Sequence, residues 1–454
     1  MSNLHDYVGK KFENPEFELK IVPDVRNFFA ADLFFRIRQS DKQDKQLVVI
    51  LPSPENNVYI SVAEALNKYG ISCTSLPMVP KATVKIWLVP LNSWIGSNFK
   101  RGAKYMELFE VTAYDKKVYE EELKDFLPDK IIDIHTHVRL ASNNPPPPPG
   151  TKPKPLRWPS LVAKDNSIED LQETYRLMFP GKDVKALIFS SGHIEKANQY
   201  IEDCSARTGW PALYFSSPEQ TADELEACIR KGNFLGVKSY LSLAPKYIPA
   251  KEVRIFDFFP KHQLARLNEM GAICMLHIPR DGRLKDPVNL HQILEIRREF
   301  PNVRLIVAHI GRAYTKEDVG NAFDLLTQEP ETMYDFCANS CEYAITECIK
   351  RCGPKHVMFG TDMPILRMRA RRIEEGDNYV NLVPPGLYPD PYGDPHLREV
   401  TAEEAETITF FAYEELLAFK RACQTLCLTK QDVEDMMYNN AVNLIEGARK
   451  SIYG

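Results

Sequence analysis

The amino-acid sequence predicts an α/β fold: an eight-stranded (β/α)8 barrel of the TIM type over residues 126–454, preceded by a small β-rich, sandwich-like domain over residues 1–125. Three observations predict it. In the longer part, short apolar runs alternate with segments of helical periodicity. Several of those runs end abruptly in residues that bind metals or move protons. The first part instead reads as short strands broken by polar turns.

The first barrel strand is Ile131-Ile132-Asp133-Ile134, a β-branched run that ends in His135-Thr136-His137. Apolar residues at helical spacing follow over 168–178, then strand 183–189, helix 194–206 and strand 211–215. Helix 221–231 precedes strand 234–240, which carries Lys238 near its end. Helix 260–270 leads into strand 272–276, and helix 289–300 into strand 303–308. Helix 318–327, strand 332–337, helix 341–352, strand 356–361 and helix 401–426 complete the set. In the first part, runs at 17–22, 31–37, 46–51, 72–76, 83–89 and 105–111 read as strands and 62–68 as a helix, with a charged linker over 119–129. This domain is expected to serve as lid, oligomer contact or substrate wall.

Successive side chains of a strand alternate in direction, so His135 and His137 project from one face, about 7 Å apart at the Cα level. That lets two imidazoles converge on one divalent ion at metal–nitrogen distances of about 2.0–2.1 Å. A lone His-x-His at a strand end is more often incidental than metal-binding, but later strands end the same way. Strand 272–276 runs into His277, strand 303–308 into His309 and strand 356–361 into Asp362. The chain has only ten histidines in 454 residues, so four at strand ends point to a common centre. A closed barrel supplies one at the C-terminal ends of its strands, where active sites of that fold lie. A doubly wound open sheet gives no reason for the first, fifth, sixth and eighth strands to share a centre.

The combined pattern resembles the metal-dependent hydrolases of the amidohydrolase superfamily. The segments Leu305-Ile306-Val307-Ala308-His309-Ile310-Gly311, Phe359-Gly360-Thr361-Asp362-Met363-Pro364 and Met436-Met437-Tyr438-Asn439-Asn440-Ala441 are similar to the branch that includes aminocarboxymuconate-semialdehyde decarboxylase and related hydrolases. The resemblance covers residues 128–450. It implies one divalent transition metal, Zn first, with Mn or Fe as alternatives. His135, His137 and His277 would hold it, with Asp362 as a further ligand or as base to a water whose pKa the ion lowers towards neutrality. His309, with an unperturbed pKa of about 6.5, would act as proton shuttle or electrophile. Lys238 admits two roles by resemblance: carboxylated bridge between two metals, with His277 and His309 shared onto the second ion, or polar wall of a one-metal site, the reading favoured here. A lysine that neutralises a nearby carboxylate remains open.

Arginines follow the same strands: Arg280 and Arg283 after His277, Arg312 after His309, Arg367 and Arg369 after Asp362. Guanidinium groups bind carboxylates bidentately, so Arg280, Arg312 and Arg367 are candidate substrate-binding residues. The expected activity is that of a metal-dependent hydrolase activating water for attack on a C–N or C–O bond of a small, carboxylate-bearing substrate. The alternative is non-oxidative decarboxylation, a lyase reaction, on the same site. A non-catalytic barrel used as a binding module is disfavoured, because a scaffold has no need of the histidines and Asp362.

Composition is that of a soluble globular chain, 44% hydrophobic and 26% charged, long enough for a barrel plus one further domain. A net charge of −5 gives no electrostatic case for nucleic acid or an anionic membrane. The N-terminus Met1-Ser2-Asn3-Leu4-His5-Asp6 has no basic-then-apolar signal, and no 18-residue apolar span occurs. Scattered cysteines suit reduced thiols and a cytoplasmic location; Cys337, Cys341, Cys348 and Cys352 lack paired CxxC spacing. The proline tract within 144–155 is expected to form a semi-rigid lid or a homo-oligomer contact. The long segment 371–401 is expected to cap the site and set specificity.

Overall fold

The computed structural model describes residues 108–143, 162–327, 331–388 and 393–454, and four short strands before them. Eight parallel strands build the larger part: β1 (Lys130–His137), β2 (Asp183–Phe189), β3 (Tyr214–Phe215), β4 (Gly236–Lys238), β5 (Ile273–Leu276), β6 (Arg304–Val307), β7 (Met333–Asp335) and β8 (Val357–Met358). β1 pairs with β2, and β3 to β8 form one sheet in sequence order. Two seams close the ring. The bridge Ile188↔Ala212 joins β2 to the chain entering β3, with the Leu213 amide donating to the Ile188 carbonyl at 3.0 Å. The bridge Thr136↔Met363 joins β1 to the end of β8, and the Ile134 amide donates to the Phe359 carbonyl at 3.0 Å. The barrel expected from the sequence is therefore present and closed.

Strand alternation sorts the apolar residues into two cores. Ile132, Ile134, Leu187, Phe189, Leu213, Ile273, Met275 and Ile306 form one cluster, the barrel interior. Their neighbours Ile131, Ala186, Ile188, Cys274, Leu276, Leu305 and Val307 belong to the other, against the surrounding helices. Those helices are α1 (Ile168–Met178), α2 (Ile194–Thr208), α3 (Ala222–Lys231), α4 (Lys261–Met270), α5 (Pro287–Glu299), α6 (Ala322–Leu326), α7 (Glu342–Cys352) and α8 (Phe411–Thr425). A last helix, α9 (Asn440–Tyr453), sends Ala441, Ile445 and Ala448 into the interior cluster, so it plugs the barrel. Capping boxes start α1 at Ser167 with Asp170 and α3 at Thr221 with Glu224.

Two glycines make room where chains meet. At Gly236 (φ 154°) a Cβ would lie 2.0 Å from the Ile273 carbonyl oxygen, so only glycine lets β4 approach β5 here. At Gly360 a Cβ would meet the His135 Cβ at 2.8 Å and the Cys337 Cβ at 3.0 Å. This second glycine keeps space for two residues of the site.

Some elements differ from expectation. The helix expected over 318–327 is two short pieces, Lys316–Val319 and α6, separated at Gly320 with φ 50°. The helix expected over 401–426 is interrupted, because the Arg369↔Phe410 bridge holds the chain extended between Ala402–Ala405 and α8. Segment 371–401 is largely folded rather than loop: β9 (Arg371–Glu375) pairs antiparallel with β10 (Asn378–Val383), which pairs parallel with β11 (Leu397–Glu399).

Contacts divide the chain between Tyr105 and Met106. Residues up to 125 beyond that point stand with the barrel. The strand expected over 105–111 is not formed at 108–111, which leads into a helix at Ala113–Val118 capped by Thr112. The expected charged linker is a helical continuation at Tyr119–Leu123, because Tyr119 and Leu123 are buried on one face and Tyr119 stacks on Tyr413. In the first unit, Lys11–Asn14 pairs antiparallel with Phe17–Lys20, and Val48–Pro52 parallel with Lys85–Val89. The strands expected at 31–37 and 72–76, the helix at 62–68 and the proline tract at 144–155 lie outside the described residues. No helix among the described residues is long and apolar enough to cross a membrane.

Candidate active site and metal centre

The barrel brings His135, His137 and Asp362 together at the C-terminal ends of β1 and β8. One ligand atom from each lies within 4.8 Å of the others. His137 Nε2 stands 2.8 Å and His135 Nε2 3.7 Å from Asp362 Oδ1. The other ring nitrogens are engaged: His135 Nδ1 with Asp335 Oδ2 at 3.0 Å, and His137 Nδ1 with the Tyr240 hydroxyl at 3.0 Å. Tyr240 also donates to the Ser190 carbonyl at 3.2 Å. With that donation made, His137 donates from Nδ1 and presents a lone pair at Nε2 to a carboxylate oxygen. Two acceptors at that separation are satisfied by a cation between them. His135, donating from Nδ1 to Asp335, presents Nε2 in the same way, the carboxylate–histidine arrangement found behind metal ligands. The donor set thus fits a divalent ion.

Burial, the largest influence on every imidazole here, disfavours the charged form and holds His135 and His137 below the usual histidine range. Neutral imidazoles are what a metal needs. Burial alone would raise the carboxyl of Asp362, but the contact with His137 and the surrounding imidazoles outweigh it and hold it well below the usual range. Asp335 is likewise lowered to about 2, against burial, chiefly by His135. Asp362 and His309 both hold positive φ, 51° and 58°, a conformation that persists where surrounding contacts enforce it.

His309 lies beside the group, its ring centroid 4.8 Å from that of His135 and 5.2 Å from that of His277. Its Nδ1 faces the Cys337 carbonyl at 2.9 Å and Cys337 Sγ at 3.0 Å, and its amide donates to Asp335 Oδ1 at 2.7 Å. Donation from Nδ1 to that carbonyl leaves Nε2 as a free acceptor. Burial, above all, lowers its pKa to about 4. His277 is not in the tight group of three; it packs on His309 with a buried Nδ1 that has no hydrogen-bond partner. Lys238 is fully buried, its Nζ without a hydrogen-bond partner, 5.3 Å from the Phe189 ring centroid and 5.6 Å from that of Tyr240. Burial lowers its pKa, opposed by Asp335 and Asp362.

The arginines separate by their partners. Arg280 pairs with Asp286, the N-cap of α5, at 3.2 Å. Arg312 Nη1 donates to the carbonyls of Ile278, Pro279 and Arg280 at 3.3–3.4 Å and so ties down the loop after β5. Arg283 pairs with Asp318, and Arg369 with Asp115. Arg367 is buried and its Nε and Nη2 have no hydrogen-bond partner.

Sequence reasoning missed four participants. Asp335 and Cys337 close the seventh strand, and the strand-end rule that found the histidines applies to them equally. Tyr240 sits two residues past Lys238. Asp133 accepts from the amides of His135 at 3.0 Å and Thr361 at 2.9 Å, from the Tyr175 hydroxyl at 2.6 Å and from the Thr361 hydroxyl. It therefore fastens β1 to the residue before Asp362, and burial pushes its pKa up to about 7. Asp335 grips both His135 and His309. Asp335→Asn is expected to weaken metal affinity about 10- to 100-fold, the usual cost of losing such a support. Chelator-competition titration measures this, and unchanged affinity would reduce Asp335 to a packing role.

Buried imidazoles and a carboxylate converging at the mouth of a (β/α)8 barrel form a group that could hold a metal ion. The amidohydrolase family model matches residues 132–445. The chain belongs to that family and is a metal-dependent enzyme of the amidohydrolase type. No curated protein matches it significantly. Among solved structures it is similar to a probable 2-pyrone-4,6-dicarboxylic acid hydrolase from Acinetobacter baumannii, at 14% identity over 70% of this chain and 99% of that one, TM-score 0.44. It is also similar to a manganese-bound dihydroxybenzoic acid decarboxylase from a Polaromonas species, at 14% identity over 72% and 100% of the two chains, TM-score 0.41. A zinc-bound amidohydrolase from Burkholderia multivorans gives 11% identity over 70% and 99%, TM-score 0.43.

Proposed function

We propose that this chain is a hydrolase that uses one divalent metal, zinc first, to cleave a C–N or C–O bond of a small, carboxylate-bearing molecule. The observation that carries this reading is the convergence of His135 Nε2, His137 Nε2 and Asp362 within ligand distance of one another, backed by Asp335 and Tyr240. His277 joins them as a further ligand in this reading; its unpartnered buried Nδ1 supports a ring that awaits a bond. When bound, the ion supplies Lewis-acid chemistry, polarising a substrate oxygen and easing deprotonation of the attacking water.

The chain's own residues do the rest. Asp362 accepts the proton of the attacking water. His309, with Nδ1 fixed by Cys337, carries a proton at Nε2 to or from the reacting oxygen or nitrogen. Lys238 serves as a cationic wall against the substrate, because its Nζ has no partner of its own.

The test is a metal analysis followed by a substrate screen. Elemental analysis is expected to give about one transition-metal ion per chain. Two ions per chain, with a carbamate on Lys238, would replace the one-metal reading. On the metal-loaded enzyme, turnover of lactones, esters or amides supports hydrolysis; CO₂ release from aromatic or unsaturated carboxylic acids would make it a decarboxylase.

A further inference from the structure

We propose that Arg367 and Arg139 form the subsite that grips the substrate's carboxylate, with Arg367 offering the side-on Nε/Nη2 edge and Arg139 adding a second guanidinium. The proposal rests on the hydrolase reading above and adds to it a specific anion-binding element.

The two residues leave adjacent strand ends. Thr136 of β1 bridges Met363, and the His137 amide donates to the Met363 carbonyl at 3.0 Å. Arg139 follows His137 by two positions, so the alternation of an extended chain carries it from the same face. Arg367 closes the 3-10 turn Ile365–Arg367 that follows Asp362. Arg139 lies close enough to disfavour the charge of Arg367, after burial and against Asp170.

Arg367 is only 8% exposed. Its Nη1 makes one long contact to the Thr174 hydroxyl, 3.5 Å, and its guanidinium lies 5.9 Å from the Phe109 ring centroid. Nε and Nη2 are buried without a partner. Those two atoms form the edge that binds a carboxylate with two parallel hydrogen bonds. Arg139 gives Nη2 to the Ala163 carbonyl at 3.0 Å and keeps a buried Nε without a partner. The acids that attract them are Asp170 for Arg367, and Asp362 and Asp165 for Arg139, and none is within salt-bridge distance; Asp170 also accepts from the Ser167 amide and Asp165 from the Ala141 amide. Neither arginine has a salt-bridge partner among the described residues. A buried guanidinium with empty donors is costly unless an anion reaches it. Arg139 stands within electrostatic reach of Asp362 and His137, so the anion this pair would take at the site is a carboxylate of the substrate.

The test measures binding of benzoate, benzamide and inorganic phosphate to the full chain by calorimetry, in metal-loaded and metal-depleted protein. Wild type is expected to bind benzoate more tightly than benzamide or phosphate in both forms. Arg367→Met and Arg367→Lys are each expected to weaken benzoate about 10- to 100-fold with metal content unchanged, because lysine lacks the fork. Arg139→Gln should weaken it less. The thermal midpoint of Arg367→Met in low-anion buffer should hold or rise, since the substitution removes an unpaired buried charge. A midpoint that falls, with benzoate affinity intact, would make Arg367 structural and overturn the subsite. Benzoate lost on metal removal yet unaffected by Arg367→Met would place the carboxylate on the metal, overturning the subsite while leaving the metal centre standing. Wild type that prefers phosphate, or that shows no charge selectivity, also overturns it.

Discussion

His135→Ala and His137→Ala proteins are each expected to purify with little bound metal and to lose turnover by at least about 10⁴-fold. The magnitude follows from what is removed: Lewis-acid stabilisation of the reacting oxygen amounts to several kcal/mol, and each 1.36 kcal/mol is tenfold in rate. Both rings are held from behind, by Asp335 and by Tyr240, so each presents Nε2 to the site and its loss removes one nitrogen from the group. Folding and chemistry can be separated. Both rings pack on Phe189 of the interior cluster, at 5.2 and 4.8 Å between centroids, so circular dichroism and the thermal midpoint of each variant are compared with wild type before its metal content is read. Elemental analysis then gives the answer. Variants that keep one ion per chain and lose activity would move the ligand role to other residues, with His277 and His309 first in line.

Much of the barrel was legible because its signals are local. Helix α1 and strand β2 lie where expected: a capping box at Ser167 and Asp170 marks the start of one, and a continuous apolar run ends the other at Phe189. The mouth residues were legible through one rule, that a buried strand ending in His or Asp presents it at a shared centre. It points to His135, His137, His277, His309 and Asp362, of which His135, His137 and Asp362 form the tight group, and it leaves out Asp335, whose strand Met333–Asp335 is short.

What stayed hidden depends on partners far away in sequence. Nothing local separates Arg312, spent on the carbonyls of residues 278–280, from Arg367, whose edge is unpartnered. Nor does it reveal the sheet of β9 to β11. The run Arg371-Arg372-Ile373-Glu374-Glu375 has no period-two apolar face, and its pairing comes from Asn378–Val383 across a tight turn. Arg372 is fixed there only by tertiary contacts, with its guanidinium 4.5–4.7 Å from the rings of Tyr314, Tyr379 and Phe411. Tyr314 in turn lies 6.5 Å from His309 between ring centroids. Segment 371–401 thus connects to His309 through packed rings.

His309→Ala is expected to keep its metal and lose turnover by about 10²–10⁴-fold, the range for a positioned general acid–base group. The tight group of His135, His137 and Asp362 stands without it; His309 falls with His135, Asp335 and Cys337 in a second group of possible ligands, but its own Nδ1 is occupied by Cys337. Its second contacts, to Asp335 and Cys337, orient the ring without linking it to Asp362. Position 309 holds φ 58°, so a β-carbon there is strained whatever the side chain. His309→Asn is the control for folding, because asparagine tolerates that conformation better than alanine. If both variants bind one ion per chain and only turnover falls, the proton-transfer role stands. If both lose the ion, His309 belongs to the ligand set, and the two-metal arrangement with Lys238 becomes the reading to test.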